Sequence, residues 1–176
     1  SAASMAQLVS ESSLAALKQL QKISSRVGEL STLAAGVDPQ SMSAYGAEVA
    51  QLLEQAANVA NTRFGPDFIF AGTAVDAQPF EATRNTDGSI SGVTYVGNTS
   101  DSLVPIGDGR AISPSAGAAT TNPAIATFIN RIVTLRDAMK SGDASSVKAL
   151  NAQMASDEDM FISAIGTVAE IGRAHV

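Results

Sequence analysis

The 176-residue chain contains no cysteine. Disulfides, zinc–thiolate sites and cysteine nucleophiles are therefore excluded. It has one histidine, His175. A Ser-His-Asp triad would have to use that residue, and no Gly-x-Ser-x-Gly elbow is present, so serine hydrolase chemistry is excluded as well. A transition-metal site would lack both thiolates and a second imidazole. Tryptophan is absent, with only six Phe and two Tyr, although 45% of the residues are hydrophobic. Much of that fraction is alanine, which suits closely packed helices better than a deep ligand pocket. No catalysis, no cofactor and no small-molecule substrate are expected.

Positive charge is also scarce. Eleven basic residues face seventeen acidic ones, for a net charge of −6. The basic residues are scattered, with no run of Lys or Arg. Nucleic-acid binding needs clustered cations, as does a polybasic membrane anchor. No stretch approaches the roughly 18 apolar residues of a membrane span. No signal peptide with a charged start and apolar core is visible. The expectation is a protein with neither nucleic-acid nor membrane partners, leaving the cell, if it does, by a route without a cleavable signal. Ser1-Ala2-Ala3-Ser4 at the start, and Ile171 to Val176 at the finish, read as cut ends of a longer chain.

What the sequence does contain is heptad spacing. Val9, Ala16, Leu20, Ile23, Val27, Leu30 and Ala34 alternate steps of three and four, with Ser13 in the one polar slot. Gly36 follows as a helix stop. Asp38-Pro39 starts a second helix, with Asp as N-cap and Pro in the first turn. Its seam is Met42, Tyr45, Val49, Leu52, Ala56 and Val59, and Gly65-Pro66 closes it. Asn122-Pro123 reads as another Asx-Pro start. A third seam follows: Ile125, Phe128, Ile132, Leu135 and Met139, stopped by Gly142. Asp143 caps a fourth helix with seam residues Val147, Leu150, Met154, Asp157, Phe161, Ala164, Val168 and Ile171. Asp157 breaks that pattern and is expected at a water-facing or inter-subunit position.

Between the two helix pairs the chain changes character. Phe68-Ile69-Phe70-Ala71-Gly72 reads as a buried strand, and Pro79-Phe80 begins a second. Asn85-Thr86-Asp87-Gly88 carries the Asp-Gly hairpin signal. Val93 to Val96 and Ser102 to Ile106 read as further strands, with turns at Gly97-Asn98 and Gly107-Asp108-Gly109. Pro105 suits an edge. Ser113 to Thr121 has linker composition. The fold class expected is mainly α, an elongated antiparallel bundle of about four helices with a small β-rich insertion. Residues 1–64 and 122–176 form the bundle, and 65–121 form the insertion with its linker.

Candidate sites are few. Adjacent carboxylates such as Asp157-Glu158-Asp159 point about 100° apart on a helix and do not converge as an acid–base pair. They read as a solvated face. Gly107-Asp108-Gly109 lacks calcium-loop spacing and the Lys of a phosphate loop, so it reads as a turn.

A family resemblance enters on the helices. Leu17 to Ala35, LKQLQKISSRVGELSTLAA, resembles the long first helix of the bacterial flagellin superfamily, with its Arg-Val-x-Glu-Leu core at Arg26, Val27, Glu29 and Leu30. Ala47 to Thr62, AEVAQLLEQAANVANT, resembles the next helix, with Glu48, Val49, Leu52, Ala60, Asn61 and Thr62 matching. Phe68-Ile69-Phe70-Ala71-Gly72-Thr73, followed by Pro79-Phe80, is similar to the Tyr-x-Phe-[Ala/Ser]-Gly-Thr…Pro-Phe pattern of the hook–filament junction branch. Phe68 stands where Tyr is usual. Val93 to Asn98 resembles that branch's strand and turn, with Tyr95 and Gly97 in place. Val104 to Gly109 resembles the stretch after it.

The resemblance implies a structural role in the flagellum, exported by the flagellar type III apparatus and located outside the cell. Implied partners are hook-associated protein 1 on the hook side, flagellin on the filament side, and copies of the chain in a helical ring. It leaves room for a cytoplasmic export chaperone. The superfamily's assembly-competent ends are missing here, which implies that this stretch does not polymerise alone. Arg26, Leu30 and Glu48 also occupy places comparable to the flagellin face read by an innate immune receptor. Two other readings stand beside this one: a flagellin that builds the filament, and a secreted helical binding module.

Overall fold

The structure is a computed structural model and describes residues 1–107, 109–115 and 117–174. Its frame is helical. Helix α1 spans Ala2–Ala34, α2 Pro39–Ala60, α3 Thr121–Lys140, α4 Ala144–Ala149 and α5 Asn151–Ala174. At about 1.5 Å per residue, α1 is about 50 Å long. The four long helices pack in a closed ring, α1 on α2, α2 on α3, α3 on α5 and α5 on α1. Each neighbour pair is antiparallel. Arg26 of α1 meets Glu48 of α2. Gly46 of α2 lies against Met139 of α3. Phe128 of α3 packs edge-on against Phe161 of α5, with centroids 4.8 Å apart. Ser31 of α1 donates to Asn151 at the start of α5.

The core runs along the ring's axis. Leu17, Leu20, Val27, Leu30, Val49, Leu53, Ile125, Ile129, Leu135 and Phe161 are essentially inaccessible. Small residues set how closely the helices approach. A Cβ added at Gly46 would stand 3.1 Å from the Met139 Cβ, so α2 and α3 meet nearly backbone to backbone. Among the described residues, no helix is long and apolar enough to cross a membrane.

Among the described residues, three antiparallel strand pairs occupy the stretch between α2 and α3. Strand β1 (Arg63–Phe64) turns through Gly65, at φ +59°, into β2 (Asp67–Phe68). Strands β3 (Phe80–Arg84) and β4 (Ile90–Tyr95) form the longest hairpin, closed by the Asp87-Gly88 turn. Strands β5 (Val104–Gly107) and β6 (Arg110–Ile112) form the third pair, β5 lying beside α1.

The structure corrects several sequence expectations. Phe68 to Gly72 is not a continuous strand. Only Phe68 belongs to β2, and Ile69 to Gly72 turn through the core with Ile69 and Phe70 buried. Gly65-Pro66 does not end α2, which stops at Ala60; it forms the β1–β2 turn. Asn122 does not cap α3, which begins at Thr121 with Asn122 buried inside its first turn. The fourth helix is broken at Leu150 into α4 and α5. The Ser113–Thr121 stretch is anchored at several points. Pro114 and Ala118 are buried, the Ser10 hydroxyl donates to the Pro114 carbonyl at 3.0 Å, and the Asp101 carboxylate accepts from Gly117 and Ala118 amides.

Helix α2 buries a wider arc than one heptad seam. Leu53, Ala57 and Ala60 are buried, whereas Tyr45, Leu52 and Val59 are half-buried at the rim. The reason is its position between α1 and α3, because a helix touching two neighbours needs more than a single a/d stripe.

Two helix starts are capped as their sequences suggest. The Asp38 carboxylate accepts from the Ser41 amide at 2.9 Å, and Asp143 accepts from the Ser146 amide at 3.1 Å. A third aspartate, Asp87, accepts from Ser89 within the β3–β4 turn. All three carboxyls are held below their ordinary pKa. For Asp38 the backbone bond from Ser41 leads; for Asp143 and Asp87 the side-chain bonds from Ser146 and Ser89 lead. A depressed folded pKa adds stability that is present above the unfolded value, about 3.9. That stability is lost as pH falls through the folded values. We expect the melting temperature to hold from neutral pH to near 4 and to drop below it. The double variant Asp38→Asn, Asp143→Asn keeps both caps but does not titrate there, so its acid drop should be smaller. An unchanged acid drop in circular-dichroism melts would refute the assignment.

Candidate functional site

Several of the residues in the strand-region motifs lie together. Phe80 and Tyr95 stack at 5.2 Å, tilted by 43°. The Tyr95 hydroxyl donates to the Asn98 carbonyl at 2.6 Å and accepts from the Asn122 amide. Burial leads in pushing the Tyr95 phenol pKa up. The Asn98 side chain in turn accepts from the Thr73 and Ser100 amides at 2.9 and 3.2 Å. Gly72 lies directly against this residue: an added Cβ would stand 2.2 Å from the Asn98 Oδ1. At Gly97 a Cβ would stand 2.5 Å from the Tyr95 hydroxyl. Phe70 and Pro79 are buried alongside, and Phe68 lies beneath the Arg63 guanidinium at 4.3 Å. Gly72, Phe80, Tyr95 and Gly97 thus meet in a packed node around Asn98, whereas Phe68 stands apart from it, lining a pocket with Met5, Val9 and Phe64.

Two asparagines fasten the β3–β4 hairpin to the helices. At the end of α2, Asn61 accepts from the Phe80 amide and donates to the Phe80 carbonyl, both at 3.0 Å. From α3, Asn130 makes the same pair of bonds with Val93, both at 2.8 Å. Each side-chain amide imitates the next strand of a sheet, satisfying backbone groups on the hairpin's outer edges. Arg136, only 2% exposed, adds a 2.6 Å bond to the Ile90 carbonyl and rests its other nitrogens on Asp137. We expect Asn130→Ala to cost about 2 kcal/mol, two hydrogen bonds at about 1 kcal/mol each. Urea denaturation checks this, and a loss below a few tenths would mean the clamp is dispensable.

The seam residues lie along the bundle. Leu20, Ile23, Val27, Leu30, Val49, Ile132, Leu135, Phe161 and Val168 are buried, while Leu52 and Leu150 are half-buried. Leu150 sits at the break between α4 and α5, where Val147 rather than Leu150 fills the end of the core.

Asp157 is neither water-facing nor free. It is 8% exposed and receives two bonds from Arg131 of α3, at 2.6 and 3.2 Å. Gln153 accepts a third bond from the same guanidinium at 2.7 Å. Glu158 is half-buried and accepts from Gln21 of α1, and Asp159 is exposed, so the three adjacent carboxylates do diverge.

Leu30 is fully buried, so it offers no surface to a receptor. Arg26 and Glu48 are bound to each other at 2.9 and 3.2 Å, and Arg26 also reaches Glu29. Glu48 first, then Glu29, raise the Arg26 pKa. The comparison with the flagellin receptor face therefore does not carry over at Leu30. Asp108 and His175 lie outside the described residues. Among the described residues, no His, Asp and Glu group could hold a metal ion.

Sequence reading missed Asn130, Arg131 and Arg136. Their signal was there, as polar residues inside the densest apolar stretch of α3. What each one reached for was not.

No protein family matches the sequence, and no curated protein does. Solved structures do match. The Bacillus cereus FlgL structure superposes with a TM-score of 0.83 at 21% identity, covering 99% of this chain and 82% of that one. The fold is that of FlgL. Xanthomonas campestris FlgL superposes with a TM-score of 0.81 at 14% identity, over 99% of this chain and 89% of that one. At these identities the likeness is one of fold. It spans bundle and strand pairs together, so the strand region belongs to the FlgL fold as much as the helices do.

Proposed function

We propose that this chain is a structural component of the bacterial flagellum, joining hook to filament without catalysis. The observation that carries the reading is the match of nearly the whole chain, helices and strand pairs alike, to the FlgL fold. Two of the junction-branch motif residues support it, since Phe80 is bonded to Asn61 at the end of α2 and Tyr95 to Asn122 of α3. Its neighbours in this reading are hook-associated protein 1, flagellin and further copies of itself, outside the cell and reached by type III export. An adaptor between two tubes must transmit torque without yielding. A ring of antiparallel helices with its β hairpin fastened by Asn61, Asn130 and Arg136 suits that load. Close packing keeps such an interior stiff.

Deletion of the gene tests the reading. Electron microscopy should show bare hooks, with unpolymerised flagellin released into the medium. Hooks that lack filament with no flagellin released would indicate a filament subunit instead. Normal flagella in a strain with no second copy would end the flagellar reading.

A further inference from the structure

The β5–β6 pair is attached differently from the rest of the strand region. The β3–β4 hairpin buries Phe80, Ile90 and Val93 and is fastened by Asn61, Asn130 and Arg136. Strands β5 and β6 bury no side chain fully: Val104, Ile106 and Ile112 are half-buried and their other residues are exposed. The ladder between them is short, with a register shift between Pro105 and Gly107 and no amide at Pro105 to donate. Few buried apolar contacts and a weak ladder mark a segment that opens at low cost. Two kinds of attachment hold it. At its base, one oxygen of Asp101, before β5, accepts from the Gly117 and Ala118 amides, after β6, at 3.0 and 2.8 Å. Nearer the strands, the Ser10 hydroxyl on α1 donates to the Pro114 carbonyl at 3.0 Å, and the Ser115 hydroxyl to the Ile69 carbonyl at 3.4 Å. Beneath lies an apolar cavity of about 150 Å³, with Val104 and Pro114 on one side and Val9, Phe64, Phe68 and Ile69 on the other.

We propose that the β5–β6 pair is a flap that lifts off α1 while the bundle and the β3–β4 hairpin stay folded, uncovering this cavity. Asp101 is its hinge and Ser10 its latch. The difference in bond strength decides which lets go. A carboxylate oxygen receiving two amides makes charge-assisted bonds, roughly twice as strong as neutral ones. The Ser10 and Ser115 bonds are neutral on both sides, so they release first and the clip at the base holds. The latch also accounts for Ser10, a serine only 3% exposed on a helix whose neighbouring buried positions are mostly apolar. The flap is a property of the chain itself and stands whether or not the chain acts in the flagellum.

The chain has no cysteine, so a single introduced thiol reports opening. Ile69 lines the cavity and is 6% exposed; Leu53, 1% exposed on α2, serves as the reference in the bundle core. With an aromatic disulfide as the thiol reagent, Ile69→Cys should be labelled faster than Leu53→Cys. Its rate should rise only shallowly with urea, because lifting a flap exposes little surface, whereas the Leu53→Cys rate should climb with the slope of global unfolding. Adding Ser10→Ala should speed Ile69→Cys labelling about fivefold, the weight of one hydrogen bond. Adding Asn130→Ala, which weakens the β3–β4 clamp, should speed labelling of Leu53→Cys and leave that of Ile69→Cys unchanged. Equal rates and equal urea slopes for the two thiols would overturn the flap, as would an Asn130→Ala effect shared by both. Hydrogen exchange tests the hinge: the Gly117 and Ala118 amides should exchange more slowly than the flap opens. Exchange as fast as Ile69→Cys labelling would mean that the clip opens too and that Asp101 is no hinge.

Discussion

Gly72→Ala should destabilise the protein by about 3 kcal/mol or more, and this is the largest loss expected from removing no existing contact. Two costs combine. Gly72 has φ +66°, a conformation that alanine adopts at a cost of about 1 kcal/mol. The new methyl would also overlap the Asn98 Oδ1 at 2.2 Å and the Asn98 and Ser100 carbonyls at 2.7 and 2.8 Å. Two of those three atoms are backbone, so no rotamer change relieves the overlap. Moving Asn98 breaks its bonds to Thr73 and Ser100 and its carbonyl's bond to Tyr95, each worth about 1 kcal/mol. Gly88→Ala is the control. Its φ is +87°, but a Cβ there meets nothing within 4 Å, so only the conformational cost of about 1 kcal/mol applies. Equilibrium urea unfolding of the two variants separates crowding from backbone strain. Equal losses would show that the crowding against Asn98 contributes nothing.

The second large effect belongs to the pair Arg131 and Asp157. Asp157→Ala should cost about 3 kcal/mol, because it strands a guanidinium whose side chain is 19% exposed. Replacing both residues, Arg131→Met with Asp157→Leu, should be nearly neutral or stabilising, since the desolvation of two charges is then avoided. The double variant should therefore be more stable than the single one. The opposite order in denaturant melts would mean that the ion pair contributes net stability. The pair also suggests why a charge is tolerated in this core. We expect the pair to help fix the register of α3 against α5, since a shifted register would leave both charges unpaired.

Much of the architecture was legible because it rests on local chemistry. The 3.5-residue spacing of Leu20, Ile23, Val27 and Leu30 determined a helix and its inward face. Asp38-Pro39 and Asp143 determined where two helices begin, because a carboxylate three residues before a free amide caps it whatever else the chain does. Asp87-Gly88 determined a hairpin, because few dipeptides take that turn cheaply. The absence of cysteine excluded thiol chemistry before any fold was known.

Tertiary structure decided the rest, for one recurrent reason: the partner lay far away in sequence. Asp157 looked misplaced on a helix seam until Arg131, 26 residues earlier, was found opposite it. Asn122 read as a cap because Asx-Pro usually is one; packing against Tyr95 drew it into the helix instead. Phe68 to Gly72 had the composition of a strand, but Gly72 had to reach Asn98, and the chain turned to let it. Leu150 fitted the helical pattern, yet the break there lets Val147 close the core while Asn151 binds α1. The width of the buried arc on α2 followed from its having two neighbours. Periodicity fixes which way a helix faces. How many surfaces it must face, and which polar side chains find a distant partner, is settled only when the whole chain packs.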